Sequence, residues 1–132
     1  MVNELIWQSD YDVGIPDIDA QHRMFLSLLG KIRAEKGSGA DNEKMRRLLS
    51  ELIKYAEYHF CSEENVMYGC DYPELPQHTR IHEKIIAELR NRVFAVKLDL
   101  EDYDSLESFL INWIVNHIQN DDKAFAAYCR CV

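Results

Sequence analysis

No stretch of this sequence approaches the roughly 20 consecutive apolar residues of a membrane span, so no membrane association is expected. Proline and glycine are scarce, three and five in 132 residues, which removes the punctuation of turn-rich β proteins and of disordered linkers. Basic residues are outnumbered, 15 Lys and Arg against 23 Asp and Glu, for a formal charge of −8. With no basic stripe to offset a phosphate backbone, nucleic acid is a poor partner. The four cysteines, Cys61, Cys70, Cys129 and Cys131, form neither a Cys-x-x-Cys zinc pair nor the framework of a secreted mini-protein. They read as reduced thiols, with Cys129-Arg130-Cys131 taken as a frayed tail in preference to a metal or redox pair. The amino terminus lacks the basic start and apolar run of a secretory signal, and a soluble cytoplasmic protein is expected.

What the chain does have is 47% apolar and 29% charged residues, enough for one domain over residues 1–132. That length is well above the roughly 40 residues below which folds need disulfides or metals to persist, so a metal here would serve function first. Residues 1–18 lack sustained periodicity and read as an extended arm packing Trp7, Tyr11 and Ile15 onto the domain. Asp17 or Asp19 is then expected to cap a first helix carrying Ile18, His22, Phe25, Leu29 and Ile32 on one stripe. After the break at Lys36-Gly37-Ser38-Gly39, a second helix is expected from after Asp41 to Gly69. Its inward seam is Met45, Leu49, Leu52, Ala56, His59, Glu63 and Val66. Pro73 and Pro76 introduce a third helix with His78, His82, Ile85, Leu89, Val93 and Val96 along one side. Asp104 and Glu107 suggest a capping box for a fourth, with Leu106, Leu110, Trp113 and His117 inward. No strand pattern or repeat is evident. The expected fold is therefore all-α: an up-down-up-down four-helix bundle with an extended N-terminal arm, an architecture that houses metals between facing helices.

All five histidines, His22, His59, His78, His82 and His117, fall on these inward stripes. A lone histidine on an apolar face is more often hydrogen-bonded core than a ligand. Five together would leave many buried donors and acceptors to satisfy, each costing roughly 1–3 kcal/mol if unpaired, and metal ligation removes most of that cost. Residues four apart on a helix differ by about 40° in direction, so His59 and Glu63 face one side, as do His78 and His82. Five imidazoles with two carboxylates exceed a closed zinc site and suit a pair of first-row metals. Glu64 reads as solvated. The second carboxylate is Asp121 on a straight α-helix, because Asp122, five residues after His117, would point about 140° away. A π-bulge or an unwound last turn would reverse that preference.

The order His22, His59-Phe-Cys-Ser-Glu63, His78-Thr-Arg-Ile-His82 and His117-Ile-Gln-Asn-Asp121-Asp122 resembles the hemerythrin family over essentially the whole chain. The Gly14-Ile15 arm, the Asp19-Ala-Gln-His22 helix start and the Tyr72-Pro73 connection resemble its bacterial branch, the bacteriohemerythrins. That resemblance implies two iron ions (Fe2+ or Fe3+) with an oxo or hydroxo bridge. His78, His82 and His117 would hold one, His22 and His59 the other, and Glu63 and Asp122 would bridge them, so the resemblance selects Asp122 over Asp121. The second iron is left one ligand short, and dioxygen binds end-on there in the family. Trp113 and Ile114 match pocket positions of the family, and with Ile118 and Phe60 they are expected to form the apolar oxygen pocket around the open position.

The expected function is reversible dioxygen binding, for storage, transport or buffering, and not catalysis. Two ferrous ions, two carboxylates and a hydroxide leave about +1 in the ligand shell, whereas ferritin-like oxygenases surround their metals with four carboxylates and two histidines. Neutral imidazoles make high oxidation states less accessible, which disfavours scission of the oxygen bond. No histidine is spare as a general base, and no Ser or Cys nucleophile is paired with one. The alternatives are a di-iron redox enzyme acting on nitric oxide or peroxide, or an oxygen or iron sensor; an unidentified oxygen-recipient protein is the remaining partner. Ligand histidines must be neutral, so metal loss is expected below roughly pH 6, near the free imidazole pKa.

Overall fold

The computed structural model describes residues 7–36 and 43–130. Its helices are α1 (Pro16–Glu35), α2 (Glu43–Gly69), α3 (Leu75–Lys97), α4 (Tyr103–Asn116) and α5 (Lys123–Arg130). Among the described residues there is no strand, and no helix is long and apolar enough to cross a membrane. A π-helical turn over His117–Asp122 joins α4 to α5, with right-handed helical backbone through both junctions. The two short helices are thus one rod, the fourth of an up-down-up-down bundle in which α1 packs on α2, α2 on α3 and α3 on α4. The break at Gly37-Ser38-Gly39 and the helix start after Asp41 fall outside the described residues.

The inward stripes close into a core that includes Phe25, Leu29, Ile32, Leu49, Leu52, Leu89, Leu106, Leu110 and Phe125, all essentially without solvent exposure. Burial of each such side chain stabilises the fold by roughly 1.5–3 kcal/mol. The N-terminal arm is not wholly extended. One 3-10 turn at Ser9–Tyr11 buries Tyr11 and leaves Trp7 and Ile15 partly buried against the core.

Two helix starts differ from expectation. Pro16 opens α1, where its missing N–H and fixed φ cost nothing, and neither Asp17 nor Asp19 caps it. Asp19 is buried, and its carboxylate accepts hydrogen bonds from the backbone N–H groups of Val13 (2.7 Å) and Gly14 (3.1 Å), which pins the arm to the helix. Gly14 has φ +92°, and a Cβ there would collide with the Arg130 side chain from α5, so the position needs glycine. In α4 the cap is Asp102, whose Oδ1 accepts from the Ser105 N–H at 2.9 Å. Asp104 and Glu107 form no capping box: Glu107 lies beyond the first turn and turns inward to pair with Arg33 of α1 at 3.0 and 2.5 Å.

The cysteines also depart from expectation. Cys70 and Cys129 form a disulfide with a Cα separation of 5.5 Å, closing a loop over a sequence separation of 59. The cause is topological: α5 returns beside the end of α2, so two cysteines with no shared motif meet at one edge of the bundle. Cys129 is therefore anchored within α5 and is not part of a frayed tail. Cys61 is free and exposed, and Cys131 lies outside the described residues.

Candidate metal centre

The stripes bring all five histidines, Glu63 and Asp122 to one buried point, with side chains no more than 4% exposed. They fall into two groups. Glu63, His78, His82, His117 and Asp122 form one, and His22, His59, Glu63 and Asp122 the other; within each group one donor atom per residue lies within 4.8 Å of the rest. The carboxylates are common to both and divide their oxygens between them. Glu63 Oε1 lies 3.0 Å from His82 Nε2 and 3.7 Å from His117 Nε2, while its Oε2 lies 3.0 Å from His59 Nε2 and 3.2 Å from His22 Nε2. Asp122 Oδ1 lies 3.0 Å from His117 Nε2 and 3.3 Å from His78 Nε2, and its Oδ2 lies 3.1 Å from His22 Nε2.

Asp122 reaches this point because of the π turn. One extra residue in the turn gives the residue five after His117 the direction that the fourth would hold in a straight helix. Asp121 is displaced to the outer side of the same ring, where its Oδ2 lies 2.9 Å from His117 Nδ1.

Two more outer contacts follow the same plan. Gln21 Oε1 lies 2.8 Å from His59 Nδ1, and Glu64 Oε2 lies 2.8 Å from His82 Nδ1. Glu64 is thus a partner of His82 and not a freely solvated carboxylate. Gln21, Glu64 and Asp121 each sit beside an inner residue (His22, Glu63, Asp122), about 100° around the helix. That adjacency was the available signal for them. Each is placed to accept an outward Nδ1–H, which would leave Nε2 to face a metal in the centre, the usual support of metal-binding imidazoles.

Electrostatics tie the cluster together. Burial alone would lower the His22 and His78 pKa values, but hydrogen bonds and charge from Asp122 and Glu63 outweigh it and raise both to about 9. His117 is likewise raised well above its ordinary value. Burial would raise Glu63 and Asp122, yet the surrounding imidazoles hold Glu63 well below the usual carboxylate range and lower Asp122 as well. Protons therefore compete for these nitrogens well above pH 6, and the expectation from free imidazole moves upward accordingly.

The residues fit a metal pair. Among the described residues, seven buried side-chain atoms lack a hydrogen-bond partner of acceptable geometry; His22 Nδ1, Tyr103 OH and Trp113 Nε1 lie apart, while Glu63 Oε1, His78 Nε2 and both Asp122 oxygens belong to the groups above. Unpartnered polar atoms of this kind are costly, and cations between the two groups would engage them.

Beside the two-histidine group lies a cavity of about 10 Å³, lined by His22, Phe25, His59, Trp113, Ile114, His117 and Ile118. It has room for about one water-sized molecule. Trp113, Ile114 and Ile118 line it, as does Phe25, which sequence reasoning had counted only as core. Phe60, expected in the pocket, does not line the cavity itself but packs behind it, stacked on His82 with ring centroids 3.9 Å apart and 5.2 Å from the Trp113 ring.

A family profile described as the hemerythrin HHE cation binding domain matches residues 13–129. Among known proteins, the chain is 35% identical over 125 residues to a bacteriohemerythrin of Stenotrophomonas maltophilia, covering 92% of this chain and 79% of the relative. It is 29% identical over 126 residues to a bacteriohemerythrin of Pseudomonas aeruginosa, covering 96% and 82%. To a myohemerythrin of Riftia pachyptila it is 26% identical over 117 residues, covering 89% and 87%. A crystal structure of a hemerythrin mutant shares the fold, with a TM-score of 0.82 at 22% identity over 94% of this chain and 95% of the other.

Proposed function

The chain belongs to the hemerythrin family, and on that premise we propose that it binds dioxygen reversibly at a pair of iron ions. His78, His82 and His117 would hold one ion, His22 and His59 the other, and Glu63 and Asp122 would bridge them. The observation that carries this reading is the division of each carboxylate's two oxygens between a three-histidine and a two-histidine group. When bound, the iron pair would supply the electrons that hold dioxygen, and the ion held by only His22 and His59 besides the shared carboxylates would have a position to offer it.

The chain's own residues favour release over reaction. Five neutral imidazoles and two carboxylates give a ligand shell of low negative charge, which makes high oxidation states less accessible than four carboxylates would. Gln21, Glu64 and Asp121 fix three of the imidazoles in one tautomer, so the nitrogens facing the metals need no reorganisation. Phe25, Trp113, Ile114 and Ile118 keep the small cavity apolar and limit the access of water and protons that would discharge the bound gas irreversibly.

The reading is tested by loading metal-free protein with Fe2+ under argon and then alternating air and argon. A visible band that rises in air and falls under argon through repeated cycles is expected. A band that appears once and does not fall would sink the carrier reading and favour a redox enzyme acting on nitric oxide or peroxide.

A further inference from the structure

The two cysteines of the disulfide stand in the same relation to the two shared carboxylates. Cys70 lies seven residues after Glu63, and Cys129 lies seven residues after Asp122. Seven residues are about two helical turns, so the bond joins the two carboxylate-bearing helices about 10 Å along from the carboxylates themselves. On the α2 side the anchor is firm, because the Cys70 N–H bonds Val66 O (3.2 Å) and the Tyr72 N–H bonds Met67 O (2.9 Å). On the other side the π turn at His117–Asp122 lies between α4 and Cys129.

From this geometry we propose that the Cys70–Cys129 bond is a reducible staple that locks the π turn and so keeps Asp122 in the metal centre. The proposal rests on the reading of Glu63 and Asp122 as ligands. A π turn is a rare, single-turn departure from the α-helix, and its relaxation to α would rotate every later residue by about 100°. That rotation turns Asp122 away from His117 Nε2 and brings Asp121 inward. It also swings Cys129 away from Cys70 and Phe125 out of the core, so it cannot occur while the bond is intact. Reduction consumes two electrons and two protons and yields two free thiols: a dithiol supplies both and becomes a disulfide, whereas a phosphine supplies the electron pair, water supplies the protons, and the phosphine leaves as its oxide. The burial of Phe125 and Ala126 is then left to hold the register without covalent help. In an oxidising compartment the staple is permanent, and in a reducing one it is a transient state that sets how firmly iron is retained.

The test compares the stapled and reduced forms of the iron-loaded protein under nitrogen, with both kept diferrous so that iron oxidation state is equal. Mass spectrometry of peptides establishes the Cys70–Cys129 link before phosphine treatment and its loss after. Transfer of iron to excess Fe2+ chelator is expected to be roughly tenfold faster in the reduced form, the scale seen when outer support of a metal ligand is lost. Amides of residues 117–126 should exchange faster as well. Cys70→Ser/Cys129→Ser should match the reduced protein with or without phosphine, and Cys61→Ser should match the untreated protein. Equal chelator rates and equal exchange in the two forms, or absence of the cross-linked peptide, would overturn the proposal. If neither form binds iron, the functional reading fails instead, and amide exchange of the metal-free protein still decides whether the bond locks the turn.

Discussion

Asp121 and Asp122 address opposite nitrogens of one ring: Asp121 Oδ2 lies 2.9 Å from His117 Nδ1, and Asp122 Oδ1 lies 3.0 Å from His117 Nε2. Adjacent carboxylates on a straight α-helix could not clasp a single imidazole in this way, and the π turn is what permits it. Asp122 is buried, whereas the Asp121 side chain is 37% exposed. The two residues therefore have different tasks, one inside the centre and one outside it.

That difference gives the first prediction. Asp122→Asn should lower the iron content below two per chain, because a neutral amide does not bridge. Asp121→Asn should keep both ions and weaken retention by roughly 10- to 100-fold, the range for an outer partner. Iron analysis with chelator competition separates the two. Equal behaviour of the variants would contradict the assignment.

Stability of the metal-free protein should depend on pH in a defined direction. His22 and His78 are raised to about 9, against roughly 6.5 in the unfolded chain. Their contribution is fully present below about 6.5 and is lost as pH rises through about 9. Glu63 and Asp122 are lowered, so theirs is present above the unfolded carboxylate range near 4 and is lost as pH falls. The melting temperature of metal-free protein is expected to peak between roughly pH 4.5 and 6.5 and to decline toward pH 9. Iron affinity should rise over the same alkaline interval, because binding expels those protons. A melting temperature that climbs from pH 6.5 to 9 in the metal-free form would contradict the electrostatics of the site.

The Arg33–Glu107 pair should matter for the bundle and not for iron. Its nearer contact is 2.5 Å with Glu107 nearly buried, and Arg33→Ala leaves that carboxylate without its bidentate partner. A loss of roughly 1–3 kcal/mol at pH 7 is expected from urea denaturation. Burial raises the Glu107 pKa but Arg33 and Tyr103 more than offset it, so it is lowered overall. The stabilisation from the pair should therefore shrink as pH falls through that lowered value. Unchanged iron content in Arg33→Ala confirms that the effect is structural.

Ile118 is 1% exposed and lines the small cavity. Ile118→Ala should cost roughly 2–5 kcal/mol through lost burial and a residual void. It should also hasten irreversible bleaching of the oxygenated protein, because water gains access to the centre. Loss of stability without faster bleaching would show that the apolar wall does not protect the bound gas.

Much of this was legible because the inward histidines share the periodicity of the core. The spacings from Ile18 to Ile32 and from Met45 to Val66 carry the first two helices and three of the seven inner residues, His22, His59 and Glu63. Local pattern did not carry features that depend on neighbouring elements. Asp19 looks like a cap by position, but the arm folds back and offers it two backbone N–H groups. Glu64 looks solvated by helical phase, but α3 brings His82 against it. Cys70 and Cys129 share no motif and meet only because α5 returns beside α2. Asp122 was the instructive position. Helix geometry favoured its neighbour, resemblance favoured Asp122, and the π turn supplies the physical reason that the straight-helix argument lacked.

The most direct test is the stoichiometry of gas exchange. Diferrous protein is placed in a sealed cell with a measured amount of dioxygen, and uptake is followed before the gas phase is exchanged for argon and the released dioxygen collected. The account predicts one dioxygen taken up per two irons, recovered as dioxygen on removal and taken up again in the next cycle. Uptake with no recovery, or uptake by protein carrying Asp122→Asn equal to that of the native chain, would contradict it.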